Sequence, residues 1–269
     1  MHLSDVDVAI ATAEAGAAVV ARRYGGPNAR FAKSATDFAT QADLDAEQAM
    51  LAVLDEHRPA DARIGEESGA SGGGGGTRRW LIDPLCGTLN FAAGTPLFAV
   101  NVALREGDAD LASAVAEPIS GDLFWTDGER ARRRSRGTEE ALVPSARSGL
   151  VEINCDGPLD RPFVGGQLVA DSLLRAEYGP RVISSTLGVA WVAAGRRAAY
   201  VSDGRLHDNL HFAAGIALCE ASGCVVSDLA GEPLRSGNGL LIAADAPTHE
   251  RTLALIAPHS EAVRAELAT

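Results

Sequence analysis

Four separated stretches place acidic or polar side chains at the ends of hydrophobic segments: "KSATDFATQAD" (33–43), "GEESG" (65–69), "DPLCGTLNF" (83–91) and "LHDNLHFAAGIALCEASGCVVSDLAG" (206–231). In the third, an apolar run ends in Asp83, turns through Pro84 and reaches Gly87 and Thr88, as a strand does when it delivers a carboxylate to a phosphate site. Magnesium suits such chemistry, being hard, taking oxygen ligands and clamping phosphate while keeping several waters. Cys86 then stands where a magnesium site is expected to put a second carboxylate. Each stretch alone is ordinary, since acidic turns are common and Asp-Pro often ends a strand. Their order and spacing carry the signal.

The elements that must position these groups can be read from caps and periodicity. Ser4, with Asp7 three residues on, predicts a capped helix ending near Gly25. Thr40 and Asp43 predict a second, over the helically spaced apolar residues of "LDAEQAMLAVLDEH". "ARIGEESGASGGGGG" reads as an acidic turn running into a mobile glycine loop, and "RRWLIDP" as a strand broken by Pro84. Four strand-like pieces, "LFAVNVALREG", "ADLASAVAEP", "GDLFWTDG" and "RARRRSRG", suggest an antiparallel meander. Alternating units follow: a helix over residues 163–176, a strand at "RVIS", a helix at "STLGVAWVAAG", a strand at "RAAYVS" and a helix at "HFAAGIALCEASG". Strands at "CVVSDL" and "GLLIAAD" and a last helix from Pro247 complete the chain. An α+β part, residues 1–145, thus carries most of the motifs, and an α/β part, residues 146–269, completes the site.

The bulk properties narrow the function. With 269 residues, 46% hydrophobic and 22% charged, the chain suits one large globular domain or two packed halves. No apolar run approaches the roughly 20 residues that span a bilayer. The N-terminus lacks the basic start and cleavage site of a signal peptide, so a cytoplasmic location without membrane attachment is expected. A net charge of −12 argues against non-specific nucleic-acid binding and suits a protein that gathers divalent cations. The exception is "ERARRRSRG" (129–137), whose five arginines form either a solvated hairpin or an anion-binding strip. The four cysteines form no close-spaced metal pairs. Cys155 and Arg161 have the spacing of a cysteine-phosphatase loop. Pro158 lacks an N–H there, and Asp156 and Asp160 repel phosphate, so that chemistry is set aside.

Taken together, the four stretches resemble the inositol monophosphatase family of magnesium-dependent, lithium-sensitive phosphatases, over nearly the whole chain. Asp37, Thr40 and Asp43 match its "D-x-x-T-x-x-D", and Glu66 and Glu67 its "G-E-E-S". Asp83, Pro84, Gly87, Thr88, Asn90 and Phe91 match "D-P-[IL]-D-G-T-x-N-F". Ala213, Ala214, Gly215, Glu220, Ala221, Gly223 and Asp228 match "W-D-x-A-A-G…E-A-G-G…D". The resemblance implies a layered αβαβα fold, a homodimer and a small phosphorylated metabolite as substrate. It implies a first Mg²⁺ site from Glu66, Asp83 and the Leu85 carbonyl, with Thr88 alongside. A water polarised by Thr88 and Asp43 is then the nucleophile, with Glu66 also in the catalytic set. The N–H groups of Gly87 and Thr88 hold phosphate, Lys33 adds charge near the anion, and Ser202 or Asp203 meets the sugar hydroxyls.

The chain departs from this pattern at the second metal site. Cys86 replaces one aspartate. A gap-free match puts His211 in place of the other, although Asp208, one helical turn earlier, also reaches that space. A thiol and an imidazole disfavour Mg²⁺ and accept Zn²⁺ or Fe²⁺, so the second site is either empty or holds Zn²⁺, Fe²⁺ or Mn²⁺. The expected function is a metal-dependent phosphomonoesterase acting on a small sugar phosphate. A phosphatase with a transition metal at the second site, and a catalytically silent pseudophosphatase that binds a phosphorylated metabolite or partner, stay open beside it.

Overall fold

Both capping boxes form, and each starts the helix it signals. The computed structural model describes residues 3–34, 37–73, 76–158 and 162–267. In chain order the described elements begin with α1 (Asp5–Arg23), β1 (Arg30–Ala32), β2 (Phe38–Thr40), α2 (Gln41–His57), β3 (Ala62–Gly65), β4 (Gly69–Gly72), β5 (Arg78–Cys86) and α3 (Thr88–Ala92). The meander follows as β6 (Ala99–Glu106), β7 (Ala109–Glu117), β8 (Asp122–Thr126), β9 (Ala131–Ser135) and β10 (Thr138–Ala141). Then come β11 (Leu150–Ile153), α4 (Val164–Ala170), α5 (Ser172–Glu177), β12 (Gly179–Arg181), α6 (Leu187–Ala193), β13 (Ala199–Ser202) and α7 (Leu210–Ser222). The last three are β14 (Val225–Ser227), β15 (Leu240–Ala243) and α8 (Ala246–Leu267).

The contacts divide the chain into two units: residues 1–141 with 185–187 and 210–221, and residues 142–184 with 188–209 and 222–269. In the first unit an eight-stranded sheet runs β10-β9-β8-β7-β6-β5-β3-β4. Its pairings are antiparallel except that of β3 with β5. Helices α1 and α2 lie against it, burying Val8, Val20, Met50 and Leu54 with Trp80, Ile82, Val102 and Leu104. The second unit is a five-stranded sheet, β12-β11-β13-β15-β14, with a core of Val151, Ile153, Val164, Leu168, Leu174, Val201, Leu241 and Ile256.

Three local expectations are corrected. Pro84 does not break its strand: β5 runs through it to Cys86, and the register against β6 shifts between Asp83 and Cys86. Proline has no N–H for the ladder, and a bulge is the place where none is needed. The predicted helix over 163–176 is interrupted at Asp171, whose Oδ1 accepts from the N–H groups of Leu173 (2.7 Å) and Leu174 (2.8 Å) and so caps α5 afresh. Part of the glycine-rich segment is also ordered, since Gly69–Gly72 forms β4 against β3, whereas Gly74 and Gly75 lie outside the described residues.

Candidate metal and phosphate site

The parallel pairing of β3 with β5 brings two acidic segments to one end of the first unit's sheet. Glu66 follows β3, and its N–H donates to the Ile82 carbonyl (3.2 Å), immediately before Asp83. Asp83 is fully buried. Its Oδ1 accepts from the Leu85 N–H (3.1 Å), and its Oδ2 accepts from Asn101 Nδ2 (3.1 Å) and lies 2.8 Å from His211 Nδ1. Burial favours the neutral acid, but the charge and hydrogen bond of His211 hold Asp83 below the usual carboxylate range.

Glu66 completes an oxygen-lined half. Its Oε1 accepts from Lys33 Nζ (2.7 Å), which also donates to Glu67 Oε1 (2.6 Å). Its Oε2 is buried with no hydrogen-bond partner. Burial, and then the Asp83 charge, push the Glu66 carboxyl above its ordinary range. In the metal-free chain the raised Glu66 carboxyl keeps a proton beside the Asp83 carboxylate, and a divalent cation can take that proton's place between the two. The donor set of Glu66, Asp83 and the Leu85 carbonyl is all oxygen, which fits Mg²⁺ or Mn²⁺. Lys33 therefore sits on the Glu66–Glu67 pair, its charge held above the ordinary lysine value by both carboxylates against the pull of burial.

Next to this half stands a hydroxyl–carboxylate pair. Thr88 Oγ1 lies 3.0 Å from Asp43 Oδ1 and 3.0 Å from the Leu85 carbonyl, so its single proton has two acceptors. Asp43 Oδ2 takes the Thr40 N–H (2.7 Å) and hydroxyl (2.6 Å) at the start of α2. The helix cap and the candidate base are thus the same carboxylate. Burial pushes Asp43 up to about 6, against the hydrogen bonds from Thr40 and Thr88. Between β5 and α3 the chain turns through Gly87 at φ +104°, where a Cβ would stand 2.8 Å from the Leu97 carbonyl oxygen; only glycine fits. The Gly87 and Thr88 amides lie at this turn.

A second cluster shares Asp83. One donor atom each from Asp83, Cys86 and His211 lies within 4.8 Å of the others. His211 comes from the first turn of α7, and Cys86 Sγ accepts from the Thr186 N–H (3.4 Å). Burial works against charge on His211, but the Asp83 charge and hydrogen bond raise it from 6.5 to about 9. Burial, helped by the Asp83 charge, holds the Cys86 thiol well above its ordinary value.

Other residues singled out by the sequence have different partners. Asp208 is not in the donor cluster; its carboxylate lies 3.3 Å from His207 Nδ1. In the second unit, Asp203 accepts from the N–H groups of Val164 (3.0 Å) and Gly165 (2.8 Å), starting α4. Ser202 is buried, 3.1 Å from Asn154 Nδ2. Four arginines of the run are paired: Arg130 with Asp127, Arg132 with Glu139, Arg133 with Glu140, and Arg134 with Glu14. Burial and neighbouring acids raise the Cys155 thiol, the wrong direction for a nucleophile, and Asp160 and Arg161 lie outside the described residues.

A sequence profile described as "Inositol monophosphatase family" matches residues 2–264. The chain belongs to the inositol monophosphatase family. It is 38% identical over 200 residues to an inositol-1-monophosphatase of Caulobacter vibrioides, covering 71% of this chain and 75% of that one. It is 30% identical to the Nus factor SuhB of Escherichia coli, covering 84% and 85%. Among solved structures, an IMPase from Thermotoga maritima aligns at a TM-score of 0.82 with 20% identity, over 97% of this chain and 100% of the other. That likeness shows the layered α/β fold. No described helix is long and apolar enough to cross a membrane.

Within this inositol monophosphatase family member, three positioning residues escaped sequence reasoning. Glu47, four residues after Asp43 on α2, accepts from the N–H groups of Glu67 (2.8 Å) and Ser68 (2.8 Å) and fixes the turn that carries Glu66. Gly65 lets it approach, since a Cβ there would meet Glu47 Oε1 at 2.8 Å. Asn101 faces Asp83 across β5 and β6, and Thr186 accepts from Asn101 Nδ2 at 2.9 Å. The available signals were an acid one helical turn after Asp43 and a lone amide inside an apolar strand.

Proposed function

We propose that this chain is a divalent-cation-dependent phosphomonoesterase that hydrolyses a small sugar-phosphate-like substrate. The observation that carries the reading is the buried, electrostatically interacting Glu66–Asp83 carboxyl pair, together with the Leu85 carbonyl, which Thr88 Oγ1 contacts along with Asp43. A hard cation held by Glu66, Asp83 and the Leu85 carbonyl would supply charge to the phosphoryl oxygens and acidify a water. Thr88 passes its proton toward Asp43 Oδ1, which leaves its oxygen free to accept from the attacking water and align it. Asp43 is a base suited to neutral pH because burial brings it to about 6. The Gly87 and Thr88 amides hold phosphate oxygens. Lys33, bonded to Glu66 and Glu67, keeps the Glu66 carboxylate in place.

The sugar-like substrate class rests on the Caulobacter vibrioides relative, named an inositol-1-monophosphatase. Phosphate release from inositol 1-phosphate and a panel of sugar phosphates, with Mg²⁺ or Mn²⁺, tests the reading. Release is expected in the wild type and absent in Asp83→Asn; activity that survives this change overturns it. A silent binding protein is the second reading, favoured by the 2.8 Å contact through which His211 occupies an oxygen of Asp83. Hydrolysis that arises only in the double variant Cys86→Asp with His211→Asp would establish it.

A further inference from the structure

We infer that Asp83, Cys86 and His211 form a binding site for one borderline-soft divalent transition metal of the zinc type, in place of a second magnesium. The inference rests on the reading of Asp83 as a metal-holding carboxylate, and concerns the ion on its other oxygen.

Three kinds of observation support it. The first is the donor set: one carboxylate oxygen, one sulfur and one imidazole nitrogen, all within 4.8 Å of one another and all in the first unit. Sulfur is a poor ligand for Mg²⁺ and a good one for Zn²⁺. The second is distance. Donors around a tetrahedral zinc lie about 3.3–3.5 Å apart. Asp83 Oδ2 and His211 Nδ1, 2.8 Å apart, need to part by about 0.5 Å, and the 4.8 Å that bounds the three donors needs to close by about 1.3 Å. The third is support around the donors. Asn101 Nδ2 donates to Asp83 Oδ2 (3.1 Å) and to Thr186 Oγ1 (2.9 Å). The Thr186 N–H reaches Cys86 Sγ (3.4 Å), and Ser185 Oγ donates to the Cys86 carbonyl (3.2 Å). Such outer hydrogen bonds aim metal ligands.

The His211 side chain is about a third exposed, which leaves the ion a way in. Three protein donors leave one coordination position open, as at zinc sites that meet substrates rather than at closed structural ones. Binding one Zn²⁺ releases the thiol proton of Cys86 and the Nδ1 proton that lies between His211 and Asp83. The ion thereby takes the place of the hydrogen bond seen at 2.8 Å.

The test uses the full chain, stripped with chelator, reloaded with Zn²⁺ or Co²⁺ in excess Mg²⁺, and desalted. Elemental analysis should find one zinc per chain, and the cobalt form should show a thiolate-to-cobalt absorption band. Cys86→Ser and Cys86→Ala should each remove the band and weaken zinc binding at least about tenfold, with His211→Gln weakening it comparably. Circular dichroism confirms that each variant is folded, and the two Cys86 variants cover for one another. Zinc lost to excess Mg²⁺, cobalt bound without the band, or a band that persists in both Cys86 variants overturns the inference. Glu66→Gln separates the two claims, because it should stop Mg²⁺-dependent phosphate release and leave the band. A Cys86-dependent band in a protein that hydrolyses nothing would sustain this site and defeat the phosphatase reading.

Discussion

Around Asp83 two sets of groups stand side by side. One is made of oxygen: Glu66, the Leu85 carbonyl and the Thr88–Asp43 pair, with Lys33 closing it. The other offers a thiol and an imidazole, Cys86 and His211. The oxygen set crowds carboxyls that burial holds above their ordinary range, an arrangement that a hard cation would relieve. In the other set, an Asp83–His211 contact already balances the charge, and sulfur and nitrogen suit a softer ion. Sharing a carboxylate therefore does not mean sharing an ion: the remaining donors decide what each set accepts.

Breaking the shared member should have the largest effect. Asp83→Asn should cut Mg²⁺-dependent phosphate release by about 10³-fold or more, the equivalent of several kcal/mol of transition-state stabilisation, and abolish cobalt binding as well. Steady-state assays and cobalt titration check both halves at once.

Damage confined to the oxygen set comes next. Thr88→Ala or Asp43→Asn should lower kcat by about 10²–10⁴-fold with a small change in KM, and should leave the cobalt band intact. In the wild type, the acid limb of the pH–rate profile should lie no higher than the Asp43 value of about 6, because a bound cation pulls it further down. A limb above that value would remove Asp43 from the role of base.

Glu47→Gln removes a buried anion from the Glu67 and Ser68 amides and should cost about 1.5–3 kcal/mol of stability, read from denaturant titration. The Mg²⁺ concentration for half-maximal activity should rise with it.

The imidazole set yields a smaller effect with a definite sign. His211 is raised from 6.5 to about 9 in the folded, metal-free chain. Its contribution to stability is therefore fully present below pH 6.5 and is lost as pH rises through about 9. Thermal melts in chelator should show His211→Gln lowering Tm more at about pH 6 than at about pH 10; an equal loss at both would mean that the contact with Asp83 carries no charge. Smallest of all, Arg134→Ala should change phosphate release less than about twofold and stability by less than about 1 kcal/mol, because its partner Glu14 is also at the surface.

The parts of the molecule legible in the sequence are those fixed by near neighbours. Ser4 with Asp7, and Thr40 with Asp43, are three residues apart, and both boxes form as written. The meander could be read from period-two runs and turn glycines. What escaped depends on residues far away in the chain. Glu47 is 20 residues from Glu67, and Asn101 is 85 from Thr186. Their pairing follows from sheet order and register, which short-range pattern does not encode. Asp171 was missed for another reason: one side chain that restarts a helix leaves the apolar spacing on either side nearly continuous. The candidate donors could be named from the sequence, but that Asp83, Cys86 and His211 come together depends on where α7 starts in three dimensions.

The bulge at Pro84 has a consequence for how such a site changes over time. Side chains along a regular strand alternate between faces, so residues 83 and 86 would point to opposite sides. The register shift between them resets this parity, and their donor atoms meet instead of diverging. Position 86 is thus aimed at Asp83 by the backbone whatever side chain it carries. If the pair holds an ion as inferred above, a single codon change there would alter its ionic preference without rebuilding the fold, and one residue gained or lost within the bulge would undo the meeting of the two side chains.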